Sequence, residues 1–143
     1  MLTSLFEKAT SHKPDTMEAV LRSMVSRSPN GVVNIAPGIA QRILEELNFP
    51  GQRPVDSSRV YGHRHAIITG DWLEGHAITF AALPDGQILL VDGQHRLTAI
   101  GQSESAIPIT VRIVPVEGVK DAQRFYAGFD QKKSVRTDRQ ILD

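Results

Sequence analysis

Cysteine is absent from the chain. That excludes a disulfide framework, a thiol nucleophile and zinc–thiolate coordination. An excess of one charge is absent too: 16 basic residues face 16 acidic ones, so the formal net charge is zero and nothing global argues for nucleic acid. No apolar run approaches the roughly 18 residues of a spanning helix, and Met1-Leu2-Thr3-Ser4-Leu5-Phe6-Glu7 lacks a basic stretch followed by an apolar one. The expectation is a cytoplasmic protein without membrane insertion. A chain of 143 residues fits one domain, large enough to bury a core without covalent staples.

The charge is unevenly spread. Lys120, Arg124, Lys132, Lys133, Arg136 and Arg139 face Asp121, Asp130 and Asp138, a local basic excess that fits either a phosphate backbone or a solvated face. Asp138-Arg139-Gln140-Ile141-Leu142-Asp143 reads as a helix starting without a stop signal, which predicts continuation past Asp143 and a domain cut at its C-terminal helix.

Leu2 to Thr10 reads as a short helix carrying Leu5 and Phe6. Pro14 and Asp15 suit the first turn of a second, in which Met17, Val20, Leu21, Met24 and Val25 recur at helical spacing as a core stripe. Ser28-Pro29-Asn30-Gly31 ends it. Residues 1–31 are thus an N-terminal helical segment packed on a domain spanning 32–143. Val32–Ile35 reads as a strand, Pro37 starts a helix with Ile39, Ile43, Leu44 and Leu47 on one face, and Asn48 to Pro54 is a loop. Asp56 or Ser57 caps a helix closed by Gly70, with Val60, Tyr61, Ile67 and Ile68 as its expected buried side and Arg59, His63, Arg64 and His65 on its polar side. Ala77–Ala81 and Ile88–Val91 read as strands joined by the turn Pro84–Gln87, Ile107–Val114 as a further strand, and Asp121–Gly128 as a last short helix. Strands and helices interleave, which predicts an α+β domain with one compact mixed sheet flanked by helices.

Between the apolar runs Ile88–Val91 and Leu97–Ile100 stands Asp92-Gly93-Gln94-His95-Arg96, a strand ending in a glycine turn that opens a helix. Such a junction binds anions, because the first N–H groups of a helix lack intrahelical partners and the helix dipole adds positive potential there. Gly93 permits close backbone approach, Arg96 supplies charge for a phosphate, and Gln94 and His95 supply contacts to its oxygens. Asp92 either satisfies nearby backbone N–H groups or acts as a carboxylate that holds a divalent cation or positions water. His95 is a candidate general acid or base near neutral pH. His63, His65 and His76 fit no metal-ligand spacing and read as surface or loop histidines.

With the strand, turn and helix placed, Asp92-Gly93-Gln94-His95-Arg96-Leu97-Thr98-Ala99 resembles the phosphate-binding box of the ParB/sulfiredoxin superfamily, where a Gly-x-x-Arg motif opens a helix. The flanks are similar to the DGQHR-type branch of plasmids and phages. They are Gln52-Arg53-Pro54, Gly70-Asp71-Trp72, the Phe80 to Val91 hairpin, Ile107-Pro108-Ile109-Thr110-Val111, Phe129-Asp130 and Arg136-Thr137-Asp138, so the likeness runs from about residue 50 to 143. Sulfiredoxin itself is a poor match, since its box carries a cysteine. A ParB partition protein carries a helix-turn-helix after its nucleotide domain, which these residues do not include.

The resemblance implies a ParB/sulfiredoxin-like fold that binds ATP or CTP, hydrolyses it, and cleaves DNA, with Mg²⁺ as a further cofactor. It assigns Asp92, His95 and Arg96 to catalysis and Gly93, Gln94, His95, Arg96 and Arg53 to phosphate binding. Lys132, Lys133 and Arg136 are assigned to DNA. Implied partners are nucleotide, DNA and a protein of a conjugation or secretion apparatus, with inhibition of plasmid or T-DNA transfer as the role. The rival expectation is a non-catalytic module that binds DNA or a partner protein, favoured by zero net charge and by the lack of a dense carboxylate cluster.

Overall fold

The computed structural model describes residues 16–72 and 76–129. The expected helix at Leu2–Thr10, Asp130, and the basic residues Lys132, Lys133 and Arg136 lie outside them.

Helix α1 spans Met17–Ser26, with Thr16 accepting from the Ala19 N–H as its cap. Strand β1 is Val32–Ile35, and helix α2 is Pro37–Glu46 with its proline in the first turn. Helix α3 is Ser57–Thr69, strand β2 Ala77–Ala82, strand β3 Ile88–Asp92, helix α4 Gln94–Gly101 and strand β4 Ile107–Pro115. A last helix, α5, covers 119–129.

The four strands form one mixed sheet in the order β1-β4-β2-β3. Strand β4 pairs antiparallel with β1 and parallel with β2, while β2 and β3 form the antiparallel hairpin expected from Pro84–Gln87. A parallel pair needs a crossover connection, and the segment from β3 through α4 is that crossover. The box is therefore the end of an edge strand and the start of the crossover helix.

Strand β2 is buried along most of its length, because both of its faces are covered. On one side Ile78, Phe80, Ile88, Leu90, Ile107, Ile109 and Val111 pack with Met17 and Leu21 of α1, Ile43 of α2, and Leu97 and Ile100 of α4. On the other, Ala81 and Val91 meet Phe49 and Ala122. Phe49 stacks on Tyr126 at 4.6 Å, which ties the Asn48 loop to α5.

Helix α3 departs from its expected packing. Val60 is buried and Ile67 packs against the core, but Tyr61 is 68% exposed and Ile68 76% exposed. Tyr61 and Ile68 are seven residues apart, two helical turns, and so share the face turned away from the sheet. The helix buries a narrow stripe around Val60, with His63 half-buried beside it and Arg59 exposed.

Candidate functional site

The turn into α4 depends on Gly93. Its φ is +115°, and a Cβ built there would stand 2.4 Å from Cγ2 of Ile78 and 3.2 Å from the Ile78 Cα. No side chain caps the helix. The sheet register shifts between Thr79 and Phe80 opposite this point, with Asp92 facing Thr79 and Leu90 facing Phe80. Val91 is the extra residue of a bulge that re-aims the chain as it leaves the strand.

Gln94 and His95 do not face an open ligand space. Both are buried. Gln94 Oε1 accepts from Asn48 Nδ2 at 3.1 Å and its Nε2 donates to the Arg53 carbonyl at 2.9 Å. His95 Nε2 accepts the Asp56 backbone N–H at 3.0 Å, so it carries no proton in this arrangement. Asp56 in turn caps α3 by accepting from the N–H groups of Ser58 and Arg59 and from the Ser58 hydroxyl. Those bonds, the Ser58 hydroxyl first, hold its carboxyl below the usual carboxylate range. Two residues of the box are thus rivets between α4 and the 48–58 segment. Arg53 is held by its backbone, whose N–H donates to the Tyr126 hydroxyl at 3.2 Å, while its side chain is exposed.

Arg96 is different. Its half-buried guanidinium donates from Nη1 to the Ala77 carbonyl at 2.6 Å, and its Nε is buried with no hydrogen-bond partner among the described residues. Burial lowers its pKa, the nearby Asp92 carboxylate opposes that, and Arg59 adds repulsion. Near it stand His63 and His76, read from the sequence as surface or loop histidines, with Trp72 beside both rings. His63 lies one turn after Arg59 on α3, and its ring stands 6.2 Å from that of His76 and 6.1 Å from that of Trp72. Trp72 and His76 are 5.0 Å apart. Trp72 is pinned through its indole N–H to the Pro108 carbonyl at 2.8 Å, and the His76 carbonyl accepts the Thr110 N–H at 2.9 Å.

The electrostatic result is a cationic cluster. Burial together with the charges of Arg96, His76, Arg59 and His95 pushes the His63 pKa down to about 4. His76 is lowered by burial and then by Arg96. Among the described residues Asp92 is the carboxylate acting on Arg96, and an anion would relieve the repulsion between Arg96 and Arg59.

Of the expected phosphate ligands, Arg96 joins this cluster through its guanidinium, and His95 acts on His63 from the same turn. Arg59, His63, His76 and Trp72 are its additional members. The available signal was the four-residue spacing of Arg59 and His63 on a capped helix, which puts both on one face. The cluster offers little to a hard cation. Mg²⁺ takes several oxygen ligands, Asp92 is the carboxylate acting on Arg96, and no group of three or more His, Cys, Asp or Glu residues suits a metal among the described residues. Two surface hollows run between α3 and α4 and share Arg64 and Gln102, but neither contains a residue from Asp92 to Arg96.

Fold and site together define an α+β domain with a cationic cluster where its crossover helix begins. No protein-family profile, curated protein or solved structure matches the chain.

Proposed function

We propose that this protein is a ParB/sulfiredoxin-like phosphate-binding domain that hydrolyses nucleotide (ATP or CTP) and cleaves DNA, and so inhibits plasmid or T-DNA transfer. The observation that carries the reading is the state of Arg96: a half-buried guanidinium with an unpaired buried Nε, surrounded by His63, His76 and Arg59. A phosphate supplies acceptor oxygens and negative charge together, which is what such a group lacks. The uncapped first turn of α4 adds N–H donors and dipole at the same end. No step is routed through Mg²⁺, since the donor set does not form a cage for it.

The test is purified protein with ATP, CTP and plasmid DNA, with and without Mg²⁺ and with EDTA, beside the Arg96→Ala variant. Loss of binding and of turnover in the variant, with an unchanged circular dichroism spectrum, is the expected result. Wild-type activity in Arg96→Ala refutes the assignment.

One observation favours a non-catalytic reading, a module that binds DNA or a protein of a transfer apparatus. The ring nitrogen of His95 that would move a proton already accepts the Asp56 N–H. DNA or partner retention by Arg96-dependent binding, without cleavage or nucleotide turnover, selects that reading.

A further inference from the structure

We infer that the groove between α3 and α4 docks an amphipathic helix of a partner protein, which sets an apolar side chain into each of the two hollows and a carboxylate on Arg64 between them. This surface is separate from the Arg96 cluster, since neither hollow contains a residue from Asp92 to Arg96.

The sequence of α3 gives it two apolar stripes. Val60 and Ile67 pack inward. Tyr61 and Ile68 each follow one of them, so they repeat at the same seven-residue spacing about 100° further round the helix. The sheet covers the first stripe and leaves the second open, and Val55, just before the helix, is 46% exposed. Large apolar side chains gathered along one groove mark an interaction surface, unlike single exposed ones. The Tyr61 ring also stacks on that of His65, one turn later, at 6.2 Å. That contact orders the phenol before anything docks and lowers the entropic cost of docking.

The groove has the length and shape for a helix. Its α3 wall is Ser57, Val60, Tyr61, Arg64, Ile67 and Ile68, the spacing of a single helix face. From Ser57 to Ile68 that wall runs about 16 Å, three turns. Thr98, Ala99 and Gln102 stand opposite. Each hollow holds about 260 Å³, under the roughly 300–1,000 Å³ of small-molecule sites, so each suits an apolar side chain. Tyr61 lines one hollow and Ile68 the other. The anchors of the docked helix therefore recur at i and i+7, and the turn between them lies over Arg64 and Gln102.

Charge selects among the possible occupants. Ser57–Thr69 carries Arg59, Arg64, His63 and His65 and no Asp or Glu. Arg64 is exposed and makes no ion pair among the described residues. A carboxylate at i+3 or i+4 of the docked helix meets it, and Glu104 in the Ile68 hollow confines further carboxylates to the Tyr61 side. A second copy of the chain fits less well. The midpoint of Tyr61 and Ile68 falls between Arg64 and His65, so two α3 helices paired about a two-fold axis would bring Arg64 against Arg64. A nucleic-acid strand fits less well too, because it takes successive aromatic platforms, whereas Tyr61 is the single ring in walls of aliphatic side chains.

The experiment is fluorescence anisotropy of the whole chain with an end-blocked, alanine-rich peptide of about 18 residues, long enough to be helical in water. It carries two leucines seven positions apart and two glutamates between them; a second peptide has lysines in place of the glutamates. A single-stranded oligonucleotide is titrated in parallel, and the protein's mass is followed by light scattering. The wild type is expected to bind the glutamate peptide at least about threefold more tightly than the lysine peptide, and Arg64→Glu to reverse that order. The Tyr61→Ser, Ile68→Ser double variant, altered outside the core, is expected to keep its circular dichroism spectrum and bind the glutamate peptide at least about tenfold more weakly. Arg96→Ala is expected to bind it as the wild type does, which separates this surface from the phosphate reading. No binding, undiminished binding by the double variant, or an unreversed preference in Arg64→Glu overturns the inference. An oligonucleotide that displaces the peptide more tightly than it binds, or a dimer that the double variant dissolves, also overturns it by giving the groove another occupant.

Discussion

The Nε2 atom of His95 accepts the backbone N–H of Asp56 at 3.0 Å, joining the first turn of α4 to the N-cap of α3. The bond fixes the angle at which α3 brings Arg59 and His63 toward Arg96. His95→Phe keeps an aromatic ring but leaves the Asp56 N–H without its acceptor, a loss of about 1–3 kcal/mol. The urea midpoint is expected to fall by that free energy divided by the m-value, which stays unchanged. Sulfate binding under folded conditions is expected to persist, which separates a scaffold role from proton transfer.

Gly93→Ala is expected to be the most damaging single change in the box. A methyl group would meet Ile78 Cγ2 at 2.4 Å, and the residue would have to hold a φ of +115°. Steric overlap and backbone strain together cost about 3–5 kcal/mol, enough to unfold a marginal domain. Thermal unfolding followed by circular dichroism checks it.

Gln94→Leu removes both ends of a bridge at once, stranding Asn48 Nδ2 and the Arg53 carbonyl. A cost of about 2 kcal/mol is expected. Gln94→Glu restores the acceptor for Asn48 but cannot donate to Arg53, so it is expected to recover less than half of the loss. Melting temperatures of the two variants, about 5–8 °C below wild type for the leucine, decide it.

Stability is expected to fall on the acid side because of His63. In the unfolded chain it binds its proton near pH 6.5, and in the fold only near about 4. Between those values unfolding takes up a proton, so stability drops as pH falls through that window and levels off below it. Solvent screening at a half-buried position leaves about 1–2 kcal/mol of effect. His63→Gln is expected to flatten the slope of unfolding free energy between pH 6.5 and about 4; an unchanged slope assigns it to other groups.

Much of the framework was legible in the residues because local rules and tertiary packing agree. Pro37 in a first turn, Asp56 as a cap, Gly70 as a left-handed stop and the Pro84–Gln87 turn act within a few residues of chain, and the structure keeps each one. The strand-turn-helix around Gly93 was legible for the same reason: an apolar run, a glycine and a second apolar run leave few alternatives.

What periodicity could not reveal is which way polar side chains turn once two elements pack. Gln94 and His95 share the box with Arg96, yet the loop from Asn48 to Asp56 lies against them and consumes their hydrogen-bonding groups. Tyr61 and Ile68 looked like core by type, but α3 meets the sheet along a stripe they do not occupy.

Composition and sequence order alone determined the interleaved α+β character, the glycine turn at Gly93 and the placing of Arg96 at a helix start. Only the tertiary structure decided that Arg96 keeps company with Arg59, His63, His76 and Trp72, residues 20 to 37 positions away in the chain. The reason is physical: a charge cluster arises from the packing of α3 and the entry to β2 against α4, and electrostatic fields follow distance in space, not spacing in sequence.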